Sequence, residues 1–297
     1  NIRANIPFDD INVFVGRKKD IRQISNAILE IPNQNGIIYG PGGIGKTALM
    51  LKILSDLNIE STEDDKLFDN LIFVSAKTNY YNPITREIVE KGKAVKNLSN
   101  IFSVILSFFE SPHVDTYDFG SQRELVIDLL ENNRVLLIID NYETLSKEEG
   151  RKIINFFSEE LKYILRAKPH YFKVLITSRE LVPSGFYQYK LKGLNSRETA
   201  QFIKKEYDDK YRDGKQQLTT DQVTRIHDTS NGIPIVLKQI MARIYENNES
   251  VVDVVSNISG KDDNLVNFSF KEVLGILKKD PLILDILILM DIIGNPI

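Results

Sequence analysis

Two short stretches carry residue types whose spacing suits chemistry on a phosphate, and a third ends in polar groups that could join them. "GPGGIGKT", residues 40 to 47, fits the pattern GxxxxGKT. Glycines at this spacing let consecutive backbone N–H groups turn inward around a phosphate. A helix opening near Lys46 adds its positive dipole end, the Lys46 ammonium reaches the β and γ phosphates, and the Thr47 hydroxyl ligates Mg²⁺. Pro41, Gly42, Gly43, Ile44, Gly45 and Ala48 complete this cradle. "LLIID", residues 136 to 140, ends an apolar run in an acid, Asp140, able to hold Mg²⁺ directly or through water. The next residue is Asn141, where many ATP-hydrolysing enzymes place a second acid. "KVLITSRE", residues 173 to 180, runs into Thr177, Ser178 and Arg179. In P-loop proteins with an inserted strand, a strand in this order lies between the loop-bearing and acid-bearing strands. That makes Arg179 a candidate sensor of a γ-phosphate, although a solvated arginine after a strand would read the same way.

Elements must hold these groups, and the hydrophobic pattern supplies them. "IIYG" (37 to 40) reads as a strand and "KTALMLKILSDL" (46 to 57) as a helix, so the glycine-rich stretch has the strand-loop-helix setting it needs. "LIFVSA" (71 to 76), "RVLLIID" (134 to 140) and "YFKVLITS" (171 to 178) are further strands. "GRKKDIRQISNAILE" (16 to 30), "LSNIFSVILSFFE" (98 to 110), "SQRELVIDLLENN" (121 to 133) and "KEEGRKIINFFSEELKYIL" (147 to 165) read as helices. Continuous apolar strands alternating with helices argue for a parallel sheet covered on both faces, an α/β architecture. "ESTEDDK" (60 to 66) reads as an exposed connector, and the polar segment from 79 to 97 carries no readable role. From about residue 194 the segments are helical without clear strands between them, which predicts an all-α region to the end.

Composition narrows the classes further. At 297 residues, 42% of them apolar, the chain exceeds one hydrophobic core and should form two or three domains. A net charge of -3 supplies no global field for nucleic acid or an anionic membrane. The absence of cysteine excludes disulfides, thiolate zinc sites and cysteine nucleophiles, and fits the cytoplasm. The N-terminus has no apolar core of a secretion signal. "PLILDILILMDII" is interrupted by Asp285 and Asp291 well short of the ~20 residues that span a bilayer, so it reads as a core helix. Apolar nearly all round and close to Ile297, that helix predicts a longer protein.

Six blocks now stand in order: "FVGRKKDI" (14 to 21), "GPGGIGKTAL" (40 to 49), "LLIIDNYETL" (136 to 145), "VLITSREL" (174 to 181), "LKGLNSRETAQFI" (191 to 203) and "NGIPIVLKQIMARI" (231 to 244). As a set they resemble the STAND-class P-loop NTPases of the NB-ARC (AP-ATPase) type, above all their bacterial regulators. The resemblance implies a five-stranded parallel sheet covered by helices over 36–193, preceded by a lead and helix over 1–35. A helical lid over 194–265 and the beginning of a winged-helix domain over 266–297 would follow. It also implies ATP or ADP as ligand with Mg²⁺ held by Thr47 and Asp140, adenine contacts from Val15, Gly16 and Arg17 largely through backbone, and approach of Pro234 to the nucleotide. Asn141 followed by Glu143 matches the bacterial pattern, which leaves Glu143 to orient water, unless it is an ordinary loop glutamate. Lys18 departs from the usual Glu, and "GIPI" from GLPL by a volume-conserving change. His113, His170 and His227 read as surface or loop residues, and the histidine that some members use to sense ADP lies in the winged-helix part.

The implied function is a switch that binds ATP or ADP, hydrolyses ATP slowly and self-associates in the ATP state under sensor and effector domains outside this chain. A turnover ATPase of the AAA+ type, a small-molecule kinase and a nucleotide-stabilised scaffold share the same loop. Asn141 speaks against the first and the helical region after 194 against the second. Transcriptional control and defence both remain open as roles of the whole protein.

Overall fold

The four most apolar β-branched runs become neighbours in one sheet. The computed structural model describes residues 3–5, 14–31, 34–60, 67–77, 79–82, 87–90, 94–111, 116–164, 172–212 and 216–259. It divides into two compact units, residues 1–192 and 193–297. In chain order the first unit contains β1 (Arg3–Ala4), α1 (Lys18–Ile24, continued by a wider turn to Leu29), β2 (Gly36–Tyr39), α2 (Lys46–Glu60) and β3 (Asn70–Ser75). There follow β4 (Asn79–Asn82), β5 (Glu87–Glu90), α3 (Leu98–Phe108), α4 (Phe119–Asn132) and β6 (Val135–Asp140). The unit ends with α5 (Lys147–Asn155), α6 (Leu161–Ile164), β7 (Phe172–Ser178) and β8 (Tyr187–Lys190).

The main sheet is parallel, with strand order β1-β3-β6-β7-β2-β8. It therefore has six strands where five were expected. Beyond the four strands read from the hydrophobic pattern, its edges hold Arg3–Ala4, drawn from the N-terminal lead, and Tyr187–Lys190, whose polar sequence gives no strand signal. β7 lies between β6 and β2, the arrangement that brings Arg179 toward the glycine-rich loop. The segment from 79 to 97 contains a second, antiparallel pair, β4 with β5.

β6 and β7 are buried along their whole length, which is why both are nearly uninterrupted apolar runs. α3 and α4 place Ile101, Phe102, Ile105, Val126 and Leu130 in the same core, where Phe102 meets Phe156 edge to face at 4.9 Å. Each such side chain contributes roughly 1.5–3 kcal/mol on burial. The exception in β7 is Lys173, 2% exposed, whose ammonium donates to the carbonyls of Ile28 and Ile31 at the end of the first helix. A cation suits that place, because the last carbonyls of a helix lack backbone partners.

The second unit contains α7 (Ser196–Lys210), α8 (Thr220–Ser230), α9 (Pro234–Tyr245) and α10 (Val251–Ser259), and no strand among its described residues. Asn195 with Glu198, and Thr219 with Gln222, form reciprocal capping boxes that start α7 and α8. Pro234 opens α9, where its missing N–H has no helical partner to lose. The "KGLN" and "NGIP" blocks meet backbone to backbone: Leu194 N–H donates to Gly232 O at 2.8 Å, and a Cβ on Gly232 would lie 2.0 Å from Leu194 O. The expected winged-helix beginning, 266–297, lies outside the described residues, as do 61–66 of the acidic connector, His113 and His170; Glu60, the connector's first residue, ends α2. None of the described helices is long and apolar enough to cross a membrane.

Candidate functional site

The register of the sheet brings the chemistry to one edge. Tyr39 pairs with Ser178 and Ser75 with Asp140, so β2, β3, β6 and β7 all release their next residues at the same carboxyl end. Ligands of open α/β sheets sit outside that end. From Tyr39 the chain enters the loop through Gly40, whose N–H donates to Ser178 O at 3.2 Å. It turns through left-handed Gly43 (φ 73°) and Gly45 (φ 97°) and starts α2 at Lys46, with Thr47 and Ala48 in the first turn. Ile44 is the loop's apolar anchor, 2% exposed, while Pro41 and Gly43 face solvent.

The Lys46 ammonium folds back into the loop, donating to Gly40 O at 2.7 Å and Pro41 O at 3.0 Å. Burial pushes it below its ordinary value and Arg179 adds to the effect, while Glu143 and Asp140 oppose it. Among the described residues no carboxylate pairs with it directly. A buried cation whose direct partners are carbonyl dipoles is matched to an incoming anion. Asp140, 3% exposed, sits beside the loop: its Oδ1 accepts from Thr47 Oγ1 at 2.8 Å and from Thr177 Oγ1 at 2.6 Å. Burial raises the Asp140 carboxyl above its usual range, against the pull of those two hydroxyls.

Arg179 and Glu143 meet directly, Nε to Oε1 at 3.0 Å. The guanidinium lies over the glycine-rich loop, since a Cβ on Gly42 would be 3.7 Å from its Cζ. Glu143 is 17% exposed, and its second oxygen, Oε2, is buried without a hydrogen-bond partner among the described residues. The pair therefore stands beside the phosphate cradle with one carboxylate oxygen still unsatisfied.

Val15, Gly16 and Arg17 form the approach to α1, with Gly16 and Arg17 both left-handed at φ 69° and 62°. The Arg17 side chain, 4% exposed, is engaged inside the protein: Nη2 donates to Ile44 O at 2.8 Å and Nη1 to Lys192 O at 2.5 Å. It braces the phosphate loop from behind, a use that the sequence did not suggest. The structure thus gathers Lys46, Thr47, Asp140, Glu143 and Arg179 at one place, with Arg17 supporting the loop. Pro234 belongs to the second unit, described separately. His227 departs from the surface or loop expectation: it is half-buried on α8, with Nδ1 2.8 Å from the hydroxyl of buried Thr199. Ser75 and Asn141 were not anticipated as part of the cluster, and Thr177 was noted only as a strand end. Asn141 bonds its neighbour Asp140, but the bonds that tie this pair to Thr177 and Ser75 span 36 residues or more of sequence, beyond the reach of local pattern.

The donor set fits Mg²⁺. Thr47 and Asp140 present hard oxygen atoms 2.8 Å apart, and Mg²⁺ is commonly held by one or two carboxylates with water and substrate phosphates.

Comparison with known proteins agrees with this geometry. A family model described as an ATPase domain predominantly from Archaea matches residues 14–240. An uncharacterised ATP-binding protein of Methanocaldococcus jannaschii is 30% identical over 112 residues, which make up 36% of this chain and 29% of that protein. Among solved structures, a STAND protein with a tetratricopeptide repeat sensor from Pyrococcus horikoshii is similar in fold, with a TM-score of 0.51 and 20% identity over 90% of this chain. The Orc1 protein of Aeropyrum pernix, solved in complex with DNA, reaches 0.53 at 15% identity, covering 86% of this chain and 67% of its own. The chain spans about a third of the STAND structure and less than a third of the curated relative.

Proposed function

The chain belongs to the family of ATPase domains found predominantly in Archaea, and from that premise we propose that it is the nucleotide switch of a larger STAND-class regulator of the NB-ARC type. It is a P-loop ATPase domain that binds ATP or ADP. The switch reading rests on one observation above all: an ion pair, Arg179 with Glu143, stands over Gly42 where the third phosphate of ATP would arrive. The six motif blocks in family order support the same assignment.

In this reading the Lys46 ammonium leaves the carbonyls of Gly40 and Pro41 for the β and γ phosphates. Thr47 and Asp140 hold Mg²⁺, which when bound screens phosphate charge. Arg179 exchanges Glu143 for the γ-phosphate, and the freed Glu143 carboxylate orients the attacking water. Val15 and Gly16 contact adenine through backbone while Arg17 braces the loop, and Pro234 is assigned to the nucleotide by the same resemblance. ATP then favours self-association of the whole protein, under control of sensor and effector domains outside this chain.

Removing the ammonium tests the base of this reading. Lys46→Ala is expected to weaken ATP and ADP binding at least ~100-fold, since several charge-assisted hydrogen bonds of roughly 1.5–3 kcal/mol each go with it. Unchanged affinity by calorimetry would contradict the phosphate-loop assignment. Hydrolysis of bound ATP in a single turnover is expected to be slow in the wild type and lost in Asp140→Ala. A wild type that leaves ATP intact over many hours would make the domain a nucleotide-stabilised scaffold instead.

A further inference from the structure

Asn141 is where the sequence leads one to look for a catalytic acid, yet its side chain bonds the neighbouring Asp140. A buried carboxylate keeps a single orientation when both of its oxygens are held by donors. Asp140 Oδ1 has the hydroxyls of Thr47 and Thr177. Oδ2 has Asn141 Nδ2, at 2.6 Å. Asn141 is fixed in turn: its backbone is left-handed at φ 58°, its N–H donates to Thr177 Oγ1 at 3.0 Å, and Nδ2 lies 3.4 Å from Ser75 Oγ. One residue thus reaches both carboxylate oxygens, Oδ2 directly and Oδ1 through the Thr177 hydroxyl, which accepts from Asn141 and donates to Asp140.

We propose that Asn141 is a positioning residue that aims the Asp140 carboxylate at Mg²⁺, and not the empty seat of a second acid. The proposal rests on the reading of Thr47 and Asp140 as the Mg²⁺ pair. An amide is the right group here, because it offers a donor to Oδ2. An acid of the same shape would set a second carboxylate oxygen 2.6 Å from the first, where like charges repel. Asparagine also tolerates the left-handed backbone that this contact requires.

The test is calorimetric titration of Mg²⁺ into the ADP complex, paired with ADP titration in EDTA. Asn141→Gly keeps the left-handed backbone accessible and removes only the side chain. Mg²⁺ affinity is expected to fall roughly 10- to 100-fold, the worth of a hydrogen bond to a charged group, with ADP affinity in EDTA changed less than about 3-fold. Thr177→Val, which removes a donor on Oδ1 itself, is expected to shift Mg²⁺ affinity in the same direction, and Asn141→Ala, which also withdraws the amide donor, carries the test should Asn141→Gly fail to fold. Asn141→Asp is expected to leave single-turnover hydrolysis no faster. Unchanged Mg²⁺ affinity in Asn141→Gly, an equal loss of ADP affinity in EDTA, or faster hydrolysis in Asn141→Asp would each overturn the proposal. Asp140→Ala separates the two levels: if it leaves Mg²⁺ affinity intact, the Mg²⁺ assignment has failed, whereas its loss of Mg²⁺ beside an unaffected Asn141→Gly defeats the positioning role alone.

Discussion

Arg179 pairs with one anion, Glu143, and lies where the proposed nucleotide would bring a second. Its Nε is held by Glu143 at 3.0 Å, while its guanidinium lies over the loop that receives phosphate. The pair is half-exposed on the arginine side, so its own strength is modest, as for other ion pairs in contact with water. A phosphoryl group carrying more than one negative charge outcompetes a single carboxylate for the same donors. The consequence differs for the two partners. Arg179→Ala is expected to reduce the preference for ATP over ADP about 10- to 100-fold, the range of one charge-assisted hydrogen bond, as measured by competition binding. Glu143→Gln is expected to keep ATP affinity and to slow single-turnover hydrolysis about 100-fold or more, the usual contribution of a positioned base. Wild-type hydrolysis in Glu143→Gln would remove Glu143 from the reaction and leave it as a counter-ion only.

At the scale of elements, what was legible in the sequence is what is coded locally. Val135–Asp140 and Phe172–Ser178 are central strands, buried on both faces, and a continuous apolar run is their signature. The edges escape such reading: Arg3–Ala4 is two residues long, and Tyr187–Lys190 is polar and partly exposed, so its place is set by pairing with β2. The same holds for the site. Lys46, Thr47 and Asp140 were visible from spacing, whereas the Arg17 brace and the contacts of Asn141 with Thr177 and Ser75 depend on which strands become neighbours. Lys173 is a third case, a lysine in a buried strand whose reason is the helix end it ties down. Burial lowers its ammonium from 10.5 to about 8. Between those two values the unfolded chain holds the proton and the folded chain does not, so stability attributable to Lys173 rises with pH across that window and is lost below it. Lys173→Met abolishes this dependence. The difference in unfolding free energy, wild type minus variant, is expected to climb between pH 8 and 10.5 by at most about 1.4 kcal/mol per pH unit, read from denaturant titrations at several pH values. A flat difference would mean that the carbonyls of Ile28 and Ile31 keep the ammonium charged throughout.

For the molecule as a whole, the issue is whether the site can drive a change of state unaided. Moving a population from 1:99 to 99:1 takes about 5.5 kcal/mol of differential binding. The contact proposed to distinguish ATP from ADP most directly, Arg179 on the third phosphate, would supply roughly 1.5–3 kcal/mol, and Arg179 would first have to leave Glu143. The remaining groups at the loop serve both nucleotides: Lys46 and the backbone reach the β-phosphate of either, and Arg17 braces the loop regardless. The proposed switch therefore cannot be thrown by one nucleotide-dependent contact, and it requires a signal from outside this chain to supply the balance. On that proposal the chain without the signal would rest in one state, and slow hydrolysis, consuming ATP while leaving the shared contacts to ADP intact, would make it the ADP-bound one. Acid extraction of freshly purified protein followed by chromatography is expected to yield close to one equivalent of ADP and little ATP. Mainly ATP would show that hydrolysis itself awaits the signal, and an empty site would show that the shared contacts are too weak to retain nucleotide, contrary to a resting switch.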